Sequence, residues 1–294
     1  MFTAVIPTLN RPADLSKAVI SILSQTCLPE ELIIVDQSVD DKSKSQVGLL
    51  MKGRDDVRLN YIHEPRISGL VEAKRVAASQ ANGNIVCFLE DDIVLEHDFI
   101  EQIMKGFNEH PDMIGCCGIV TNMPKQAFAH KFIFTLFHRG IFRDKRVAIY
   151  GQMEGRGHQL VASKMISGGL SAWRQEVFSA VQFDPTNGYF MLEDIDFSTR
   201  VEKHFGPHLY INPNARLVHN CSPVNRESLA PRHRRKLSEY IKYYKHRRNW
   251  TRAKSSLSWL LLGLFFESLF KTVLTHSFWP LKGYFLGIRD GFKK

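Results

Sequence analysis

The sequence predicts an α/β fold, a mostly parallel sheet with helices on both faces. Short apolar runs typical of buried strands alternate with segments of helical periodicity over the first 120 residues. Four of these runs lie before residue 90, at 2–7, 31–36, 58–63 and 84–89. Strands that alternate with helices pair in parallel, because each helix returns the chain to the same edge of the sheet.

Helices are predicted between these strands from their periodicity and their end signals. Residues 13–26 carry apolar side chains at helical spacing, and residues 68–83 begin with a serine and end with a glycine. A third helix over 97–110 is closed by Pro111, and an apolar strand over 113–120 follows it. Strand and helix therefore alternate as far as residue 120.

The segment 121–163 breaks this alternation. It is rich in phenylalanine, with scattered histidine, lysine and arginine, and it is too polar to span a membrane. It is either an excursion of the core or an aromatic-rich lid or membrane-facing surface near an acceptor. After it, a helix over 195–206 and a strand over 208–220 complete the predicted fold.

The net charge of +9 is concentrated in one segment. Residues 226–254 contain eleven Lys and Arg but two Asp and Glu, so the rest of the chain is neutral. A neutral body argues against a nucleic-acid enzyme with a broadly basic face, and the basic segment favours one specific partner. Five cysteines without a CxxC pair, and an N-terminus without a basic leader, indicate reduced thiols on the cytoplasmic side of a membrane.

Polar and acidic side chains follow three of the predicted strands. They are Pro7, Thr8, Asn10 and Arg11, then Asp36 and Ser38, then Glu90, Asp91 and Asp92. Ligands bind beyond the carboxyl ends of parallel strands, so we expect these groups to meet. Three consecutive carboxylates repel one another unless water solvates them or a cation lies between them. The gathering of three clusters at one edge favours the cation.

Five short motifs occur in order over residues 2–220, at 5–11, 34–38, 88–92, 167–174 and 193–196. Together they resemble the family 2 glycosyltransferases of the GT-A fold, of the rhamnosyltransferase-like type that builds bacterial surface polysaccharides. The chain departs from the family pattern at Gln37, where many members have an aspartate, and at Glu90, the first acidic position. Both departures leave the nucleotide and the sugar unassigned.

The resemblance implies a nucleotide-sugar donor and a divalent cation, Mn²⁺ or Mg²⁺, on its diphosphate. Asp92 would be the principal metal ligand, with Asp91 facing the ribose or the ion and Glu90 in a supporting position. His219, at the end of a later strand, is either a further metal ligand or an ordinary histidine.

The resemblance also implies a pocket for the nucleotide. Asp36 would accept a hydrogen bond from the nucleobase, and Arg66 or Lys74 would pair with the diphosphate unless they only form a solvated helix face. The remaining expected contacts are Pro7, Thr8, Asn10, Arg11 and Ser38.

Family 2 members invert the anomeric centre, which requires one general base opposite the leaving group. By its match to the motif at 193–196, Asp194 is that base. Glu193 would either raise the proton affinity of Asp194 or face the acceptor itself. The acceptor would lie against Gly168, Gly169 and the ring of Trp173.

The C-terminal part forms a separate region, so we expect a GT-A catalytic domain over 1–225 and basic, amphipathic membrane-associating helices over 226–294. The apolar run 257–266 is about half of the roughly twenty residues that a membrane span needs. Gly263, Glu267, Lys271 and Thr275 form a polar stripe, which predicts a helix that lies on the membrane beside anionic headgroups. The alternative is a helical hairpin packed on the catalytic domain or in a dimer interface.

These observations predict a metal-dependent inverting glycosyltransferase, peripheral to the cytoplasmic face of the cell membrane. Its partners would be a nucleotide-sugar donor, a lipid-linked or polysaccharide acceptor and the membrane surface, with a homo-oligomer as a further option and no nucleic acid. One alternative is a nucleotidyltransferase, which usually carries a glycine-rich loop where this chain has residues 7–12 without glycine. The other is an inactive membrane-associated binding or scaffold protein, against which Asp92 and Asp194 argue.

Overall fold

The computed structural model describes residues 1–123, 128–144, 146, 149, 157, 159–224, 228–249 and 252–293. The chain divides into two compact units. The first comprises residues 1–123, 146–188 and 193–225, and the second comprises residues 124–145, 189–192 and 226–294.

Within the described residues, nine strands form one sheet in the first unit. They are β1 Phe2–Thr8, β2 Glu31–Asp36, β3 Arg58–His63, β4 Ile85–Leu89, β5 Ile93–Leu95, β6 Gly115–Val120, β7 Val161–Ala162, β8 Leu170–Arg174 and β9 Leu209–His219. Their order is β3-β2-β1-β4-β8-β6-β9-β5, and β7 pairs with β9.

The parallel half of this sheet, β3-β2-β1-β4, confirms the predicted fold class. Every residue of β1, β2 and β4 is buried, as expected for strands that are covered on both faces. The other half is mixed, because β8 lies antiparallel between β4 and β6, and β9 runs parallel to β6. Strand direction has no signature in the apolar periodicity, so the sequence did not predict the reversal of β8.

The helices begin and end close to their expected positions. They are α1 Pro12–Leu23, α2 Lys42–Leu50, α3 Leu70–Gln80, α4 Phe99–Glu109, α5 Phe128–Phe137, α6 Glu176–Ala180, α7 Glu193–Phe205, α8 Leu229–Arg247, α9 Ala253–Thr275 and α10 Trp279–Phe292. Helix α3 begins after Gly69, whose positive φ of 88° suits glycine, instead of at Ser68. Helix α2 carries almost no apolar stripe and was not predicted from its periodicity.

The segment 121–163 is only partly described. Residues 128–137 form α5 and residues 140–142 form a short 3-10 turn, both in the second unit. Much of the remaining segment lies outside the described residues. The two helical pieces pack against α9, and Phe142 of the 3-10 turn also contacts Tyr240 and Tyr243 of α8. The end of the segment belongs to the first unit, where Val161–Ala162 forms β7.

Helices α8 and α10 approach each other closely because glycines line their contact. A Cβ atom at Gly287 would lie 2.5 Å from the carbonyl oxygen of Arg234, and one at Gly291 would lie 2.7 Å from Cβ of Ile241. Neither contact can be accommodated without a movement of the helices. The spacing of these two glycines by four residues keeps them on one face of α10.

We expect the substitution Gly287→Ala to lower the free energy of unfolding by about 1–3 kcal/mol, because the added methyl group meets a backbone carbonyl. Gly48 in α2 is the matched control, since a Cβ atom there meets nothing within 4 Å. Gly48→Ala should leave stability unchanged or raise it by up to about 1 kcal/mol through helix propensity. Denaturant unfolding measures both. Equal stability of the two variants would contradict the close α8–α10 contact.

Candidate active site

The acidic triplet directly after β4 divides its side chains between two sides. Nε2 of His219 lies 3.0 Å from Oε2 of Glu90 and 3.0 Å from Oδ1 of Asp92. Asp91 turns the other way, where it accepts hydrogen bonds from Thr8 (2.7 Å) and Arg11 (2.8 Å). The turn that follows β4 thus directs the first and third carboxylates to His219 and the second to Thr8 and Arg11.

His219 reaches the triplet because β9 pairs antiparallel with β5, which places His219 opposite Ile93. The hydrogen bonds to Asp92 and Glu90 raise the pKa of His219 to about 10. Burial is the largest single effect on Asp92 and opposes its charge, but the hydrogen bond and charge of His219, the backbone N–H of Ser222 and the charge of Arg11 together lower the pKa of that carboxyl below its usual value. The protonated imidazole thus supplies a positive charge between two carboxylates.

The same three residues offer a set of ligands for a divalent cation. Their ligand atoms, two carboxylate oxygens and one imidazole nitrogen, all lie within 4.8 Å of one another. Carboxylates suit Mg²⁺ and Mn²⁺, and a metal ion replaces the proton on a ligating histidine. The donor set therefore fits such an ion, and Glu90 belongs to it as closely as Asp92 does.

Asp91 and Arg11 tie the triplet to the chain beyond β9. Arg11 donates to Asp91 and also to the carbonyl oxygen of Val224, at 3.0 and 2.6 Å. Burial raises the pKa of Asp91, and the bonds from Thr8 and Arg11 offset part of that effect. On the other side of the triplet, Oδ2 of Asp92 accepts from the backbone of Ser222 at 2.8 Å. The triplet is thus held in place by Thr8 and Arg11, near the start of the chain, and by Ser222, after β9.

Asp36, at the end of β2, is fully buried and has two partners. Its carboxylate accepts from the backbone of Ser38 (2.9 Å) and from the hydroxyl of Tyr61 (2.6 Å). Burial, and then the bond to Asp36, raise the pKa of Tyr61. The ring of His63 lies 2.8 Å from the carbonyl oxygen of Ser38, whose hydroxyl accepts from the backbone of Asn10.

Sequence reasoning missed Tyr61 and His63. Both side chains lie on one face of β3, which pairs in parallel with β2. Two side chains with polar tips at positions i and i+2, just before the strand ends, were the available signal. Gln37, the departure from the family pattern, accepts from the backbone of Gly69 at 3.0 Å and so holds the start of α3.

The two cations that were expected at a diphosphate differ in their surroundings. Arg66 is 88% exposed and pairs with its neighbour Glu64. Lys74 is 2% exposed, and its ammonium donates to Glu193 (2.7 Å) and to the carbonyl oxygen of Gly168 (3.0 Å). Lys74 is therefore a buried link between α3, the loop at residue 168 and the start of α7, and it does not form a solvated helix face.

Helix α7 starts at Glu193, two residues earlier than predicted, so that Glu193 and Asp194 both lie in its first turn. Burial raises the pKa of Glu193 although Lys74 opposes that shift, and one of its oxygens is buried without a hydrogen bond. Asp194 is less buried and pairs with Arg146. The sequence carried no signal for Arg146, which lies between the 3-10 turn at 140–142 and β7.

The glycines at 168 and 169 allow the two acidic groups to approach the same loop. A Cβ atom at Gly168 would lie 2.3 Å from Oε1 of Glu193, and one at Gly169 would lie 2.2 Å from Oε1 of Glu90. Any larger residue would push one of the carboxylates away. In this structure the glycine pair separates the cluster at 90–92 from the pair at 193–194.

Trp173 does not face a binding surface. Its ring is 2% exposed, packs edge-on against Phe197 at 4.9 Å between centroids, and donates from Nε1 to the hydroxyl of Ser171 at 2.9 Å. A ring in this position fills the core beneath the site, so the expected contact with an acceptor sugar is corrected to a packing contact.

The arrangement combines two functions that a group transfer needs. A cation held by Glu90, Asp92 and His219 would neutralise an anionic leaving group. A carboxylate across the glycine pair, Asp194, would accept the proton of an attacking hydroxyl. Both groups lie at the carboxyl edge of the sheet, where parallel strands place ligands.

Two curated proteins similar to this chain carry the name of a lipid-linked substrate. The GalNAc(5)-diNAcBac-PP-undecaprenol beta-1,3-glucosyltransferase of Campylobacter jejuni is 33% identical over 117 residues, 39% of this chain and 37% of the relative. The glucosyl-dolichyl phosphate glucuronosyltransferase of Haloferax volcanii is 29% identical over 116 residues, 38% of this chain and 35% of the relative. The match spans little more than a third of each relative, and neither name supports the rhamnosyltransferase-like type specifically.

Solved structures share the fold at low identity. A mannosyltransferase from Pyrobaculum calidifontis, PcManGT, in complex with GDP-Man and Mn²⁺, has a TM-score of 0.62 and 15% identity, covering 97% of this chain and 83% of that one. S. aureus TarS, residues 1–349, has a TM-score of 0.61 and 13% identity, covering 99% and 79%. These similarities confirm the GT-A-like fold.

The family model of glycosyl transferase family 2 matches residues 3–181. This match covers β1 to β8 and includes the triplet at 90–92 and the glycine pair at 168–169. Because it extends over more than half of the chain, the protein belongs to glycosyl transferase family 2.

Proposed function

We propose that this enzyme is a metal-dependent inverting glycosyltransferase that moves one sugar from a nucleotide-sugar donor to a lipid-linked acceptor. The observation that carries the proposal is the cluster of Glu90, Asp92 and His219, separated from Asp194 only by the glycine loop. An acidic triplet alone is explained by solvation. An acidic triplet joined by a histidine that follows Asp92 by 127 residues in the chain is explained better by a cation.

On the donor side, Glu90, Asp92 and His219 would hold Mn²⁺ or Mg²⁺, which supplies charge neutralisation for the departing diphosphate. Asp36, Ser38 and Asn10 would line the nucleobase and ribose, since they share one hydrogen-bonded group at the end of β2. The ion pair of Arg66 is exposed and worth little, so a diphosphate can displace Glu64 from it.

On the acceptor side, Asp194 would remove the proton from the attacking hydroxyl. Glu193 is poorly placed for that role, because it is buried and its charge is held by Lys74. We assign Lys74 and Glu193 to the anchoring of the glycine loop and of the first turn of α7. Arg146 would orient the carboxylate of Asp194 until the acceptor arrives.

The relatives' names support a lipid-linked glycan as the acceptor, in preference to a free polysaccharide. We further propose that residues 1–225 form the catalytic domain and that residues 226–294 associate with the cytoplasmic face of the cell membrane as a peripheral region. The concentration of positive charge over 226–254 suits anionic headgroups. Membrane association would bring the site to a substrate that cannot leave the bilayer.

We expect slow hydrolysis of one sugar nucleotide in the absence of acceptor when Mn²⁺ or Mg²⁺ is present. A panel of UDP-, GDP- and dTDP-linked sugars, including a dTDP-linked rhamnosyl donor, identifies the donor by the nucleotide released. Chelation should abolish release, because the diphosphate then lacks its cation. Undiminished nucleotide release in the presence of chelator would contradict the requirement for a metal ion. No release together with no nucleotide binding by calorimetry would favour the scaffold protein.

Asp92→Asn and Asp194→Asn should fail at different steps. Asp92→Asn should weaken metal-dependent binding of the donor, since a ligand is lost. Asp194→Asn should keep that binding and lower transfer by about 100- to 10,000-fold, the usual contribution of a general base. Titration calorimetry and transfer to lipid extracts separate the two effects. Asp112→Asn, at an exposed ion pair with His208, is the control. Full transfer by Asp194→Asn would remove that residue from catalysis.

Lys74→Met should destabilise the fold by about 3–5 kcal/mol, because it leaves the buried Glu193 without its cation. The double variant Lys74→Met with Glu193→Gln removes that charge and should recover most of the stability. Denaturant unfolding and nucleotide affinity are measured together. A Lys74→Met variant of normal stability but weakened nucleotide binding would instead support pairing of Lys74 with the diphosphate.

A further inference from the structure

In its central part, helix α9 directs polar side chains towards the other helices of the second unit. Glu267 is buried and lies 2.6 Å from the ammonium of Lys271 and 3.5 Å from that of Lys236 on α8. Ser268 is fully buried and lies 2.9 Å from the ring of His233, also on α8. Of the stripe that the sequence predicted, Gly263 and Glu267 therefore face protein, Lys271 is partly exposed and pairs with Glu267, and Thr275 at the end of the helix is exposed.

The opposite face of α9 is apolar and exposed. Its residues recur at helical spacing, and their exposed fractions run from 38% to 63%. They are Trp259, Leu262, Phe266, Leu269, Phe270, Val273 and Leu274. We call this set the outer face of α9. At 1.5 Å per residue it extends over about 22 Å, and the exposed rings of Phe278 and Phe285 follow it in the chain.

This arrangement is the reverse of an amphipathic helix on a water-soluble protein, which buries its apolar stripe and exposes its charges. Exposure of the outer face to water is unfavourable, because its free-energy cost grows with the apolar area exposed. Large contiguous apolar patches on soluble proteins mark surfaces that bind something else. A protein surface in contact with membrane hydrocarbon has this arrangement, with its polar groups bonded internally and its apolar side chains pointing outward.

By length and composition α9 is apolar enough to cross a membrane, over a longer stretch than the run at 257–266 considered above. Its contacts favour a different placement. The polar face packs along α8, a helix rich in arginine and lysine that cannot enter hydrocarbon. A helix with protein on one side and an apolar opposite side lies in the plane of the membrane interface.

A second copy of the chain is the competing occupant of the outer face. Residues 226–294 contain 16 Lys and Arg against 4 Asp and Glu. Two such regions would repel each other when their faces meet, whereas an anionic leaflet attracts both the charge and the apolar surface. The charge of the region therefore selects the lipid surface.

We propose that the outer face of α9 inserts into the acyl-chain boundary of an anionic leaflet, with the helix axis in the membrane plane. This inference deepens the membrane association proposed above by naming the surface that enters the bilayer. It does not depend on which sugar is transferred.

The test is vesicle flotation of the full chain with the double variant Phe266→Ser and Phe270→Ser. The probe is vesicles of phosphatidylcholine and phosphatidylglycerol in equal proportions. The partition coefficient should fall by about tenfold or more, because two rings lose their transfer from water. The matched control is Val39→Ser with Leu49→Ser, which removes two exposed apolar side chains of the first unit and should leave partitioning unchanged.

A second measurement locates the face directly. In a variant with Trp250→Phe and Trp279→Phe, the remaining exposed indole is Trp259, since Trp173 is buried. Lipids brominated on their acyl chains should quench its fluorescence. Unquenched fluorescence, or equal flotation of wild type and the Phe266/Phe270 double variant, would overturn the proposal. So would a wild-type dimer that the double variant converts to monomer without any change in flotation.

The result is separable from the proposed activity. Donor hydrolysis in buffer without vesicles should be equal in the wild type and in the Phe266/Phe270 double variant, because neither residue lies in the first unit. Loss of hydrolysis in both proteins would concern the proposed activity alone, and loss of flotation alone would concern the outer face.

Discussion

The candidate site depends on one constraint, that carboxylates gathered at one edge of a sheet each need a cation or, as Asp36 has in Ser38 and Tyr61, hydrogen-bond donors. Buried charges are tolerated only when they are paired, and the described residues supply a different cation for each part of the acidic set. Arg11 pairs with Asp91, and His219 bridges Glu90 and Asp92. Lys74 pairs with Glu193, and Arg146 pairs with Asp194. A bound cation would take over the part that His219 plays between two of these carboxylates.

The same constraint explains why the site contains adjacent glycines. A side chain at Gly168 or Gly169 would occupy the space of Glu193 or Glu90, and the two acidic groups would separate. A loop without side chains lets a leaving-group site and a base approach the same reacting centre, and such positioning accounts for a large part of catalytic rate. The loop therefore leaves room for both carboxylates because its glycines have no side chains. Trp173, which was expected to contact the acceptor, packs instead against Phe197 in the core.

The second unit follows the same rule with a different result. The buried Glu267 of α9 pairs with Lys271 and with Lys236 of α8, on the side of α9 that also buries Leu260 and Leu264. The apolar residues of the outer face lie on the other side and stay exposed. The candidate site and the proposed membrane-facing surface thus follow from one physical requirement, which is that buried ionic groups need partners. In the first unit the requirement assembles a site, and in the second it produces a surface suited to lipid.

The sequence by itself determined the strands of the parallel half, the fold class and the order of the motifs, and it pointed to the carboxylates at 90–92 as the candidate site. Periodicity and local motifs are properties of neighbouring residues, and these features are local. The tertiary structure alone decided the antiparallel course of β8, the burial of Lys74 and Trp173, the partners Tyr61 and Arg146, and the direction of the polar stripe on α9. Each of these depends on which residue lies across from another after folding. The periodicity of a sequence predicts on which face of a helix or strand a side chain lies, but not which residue of another element it contacts.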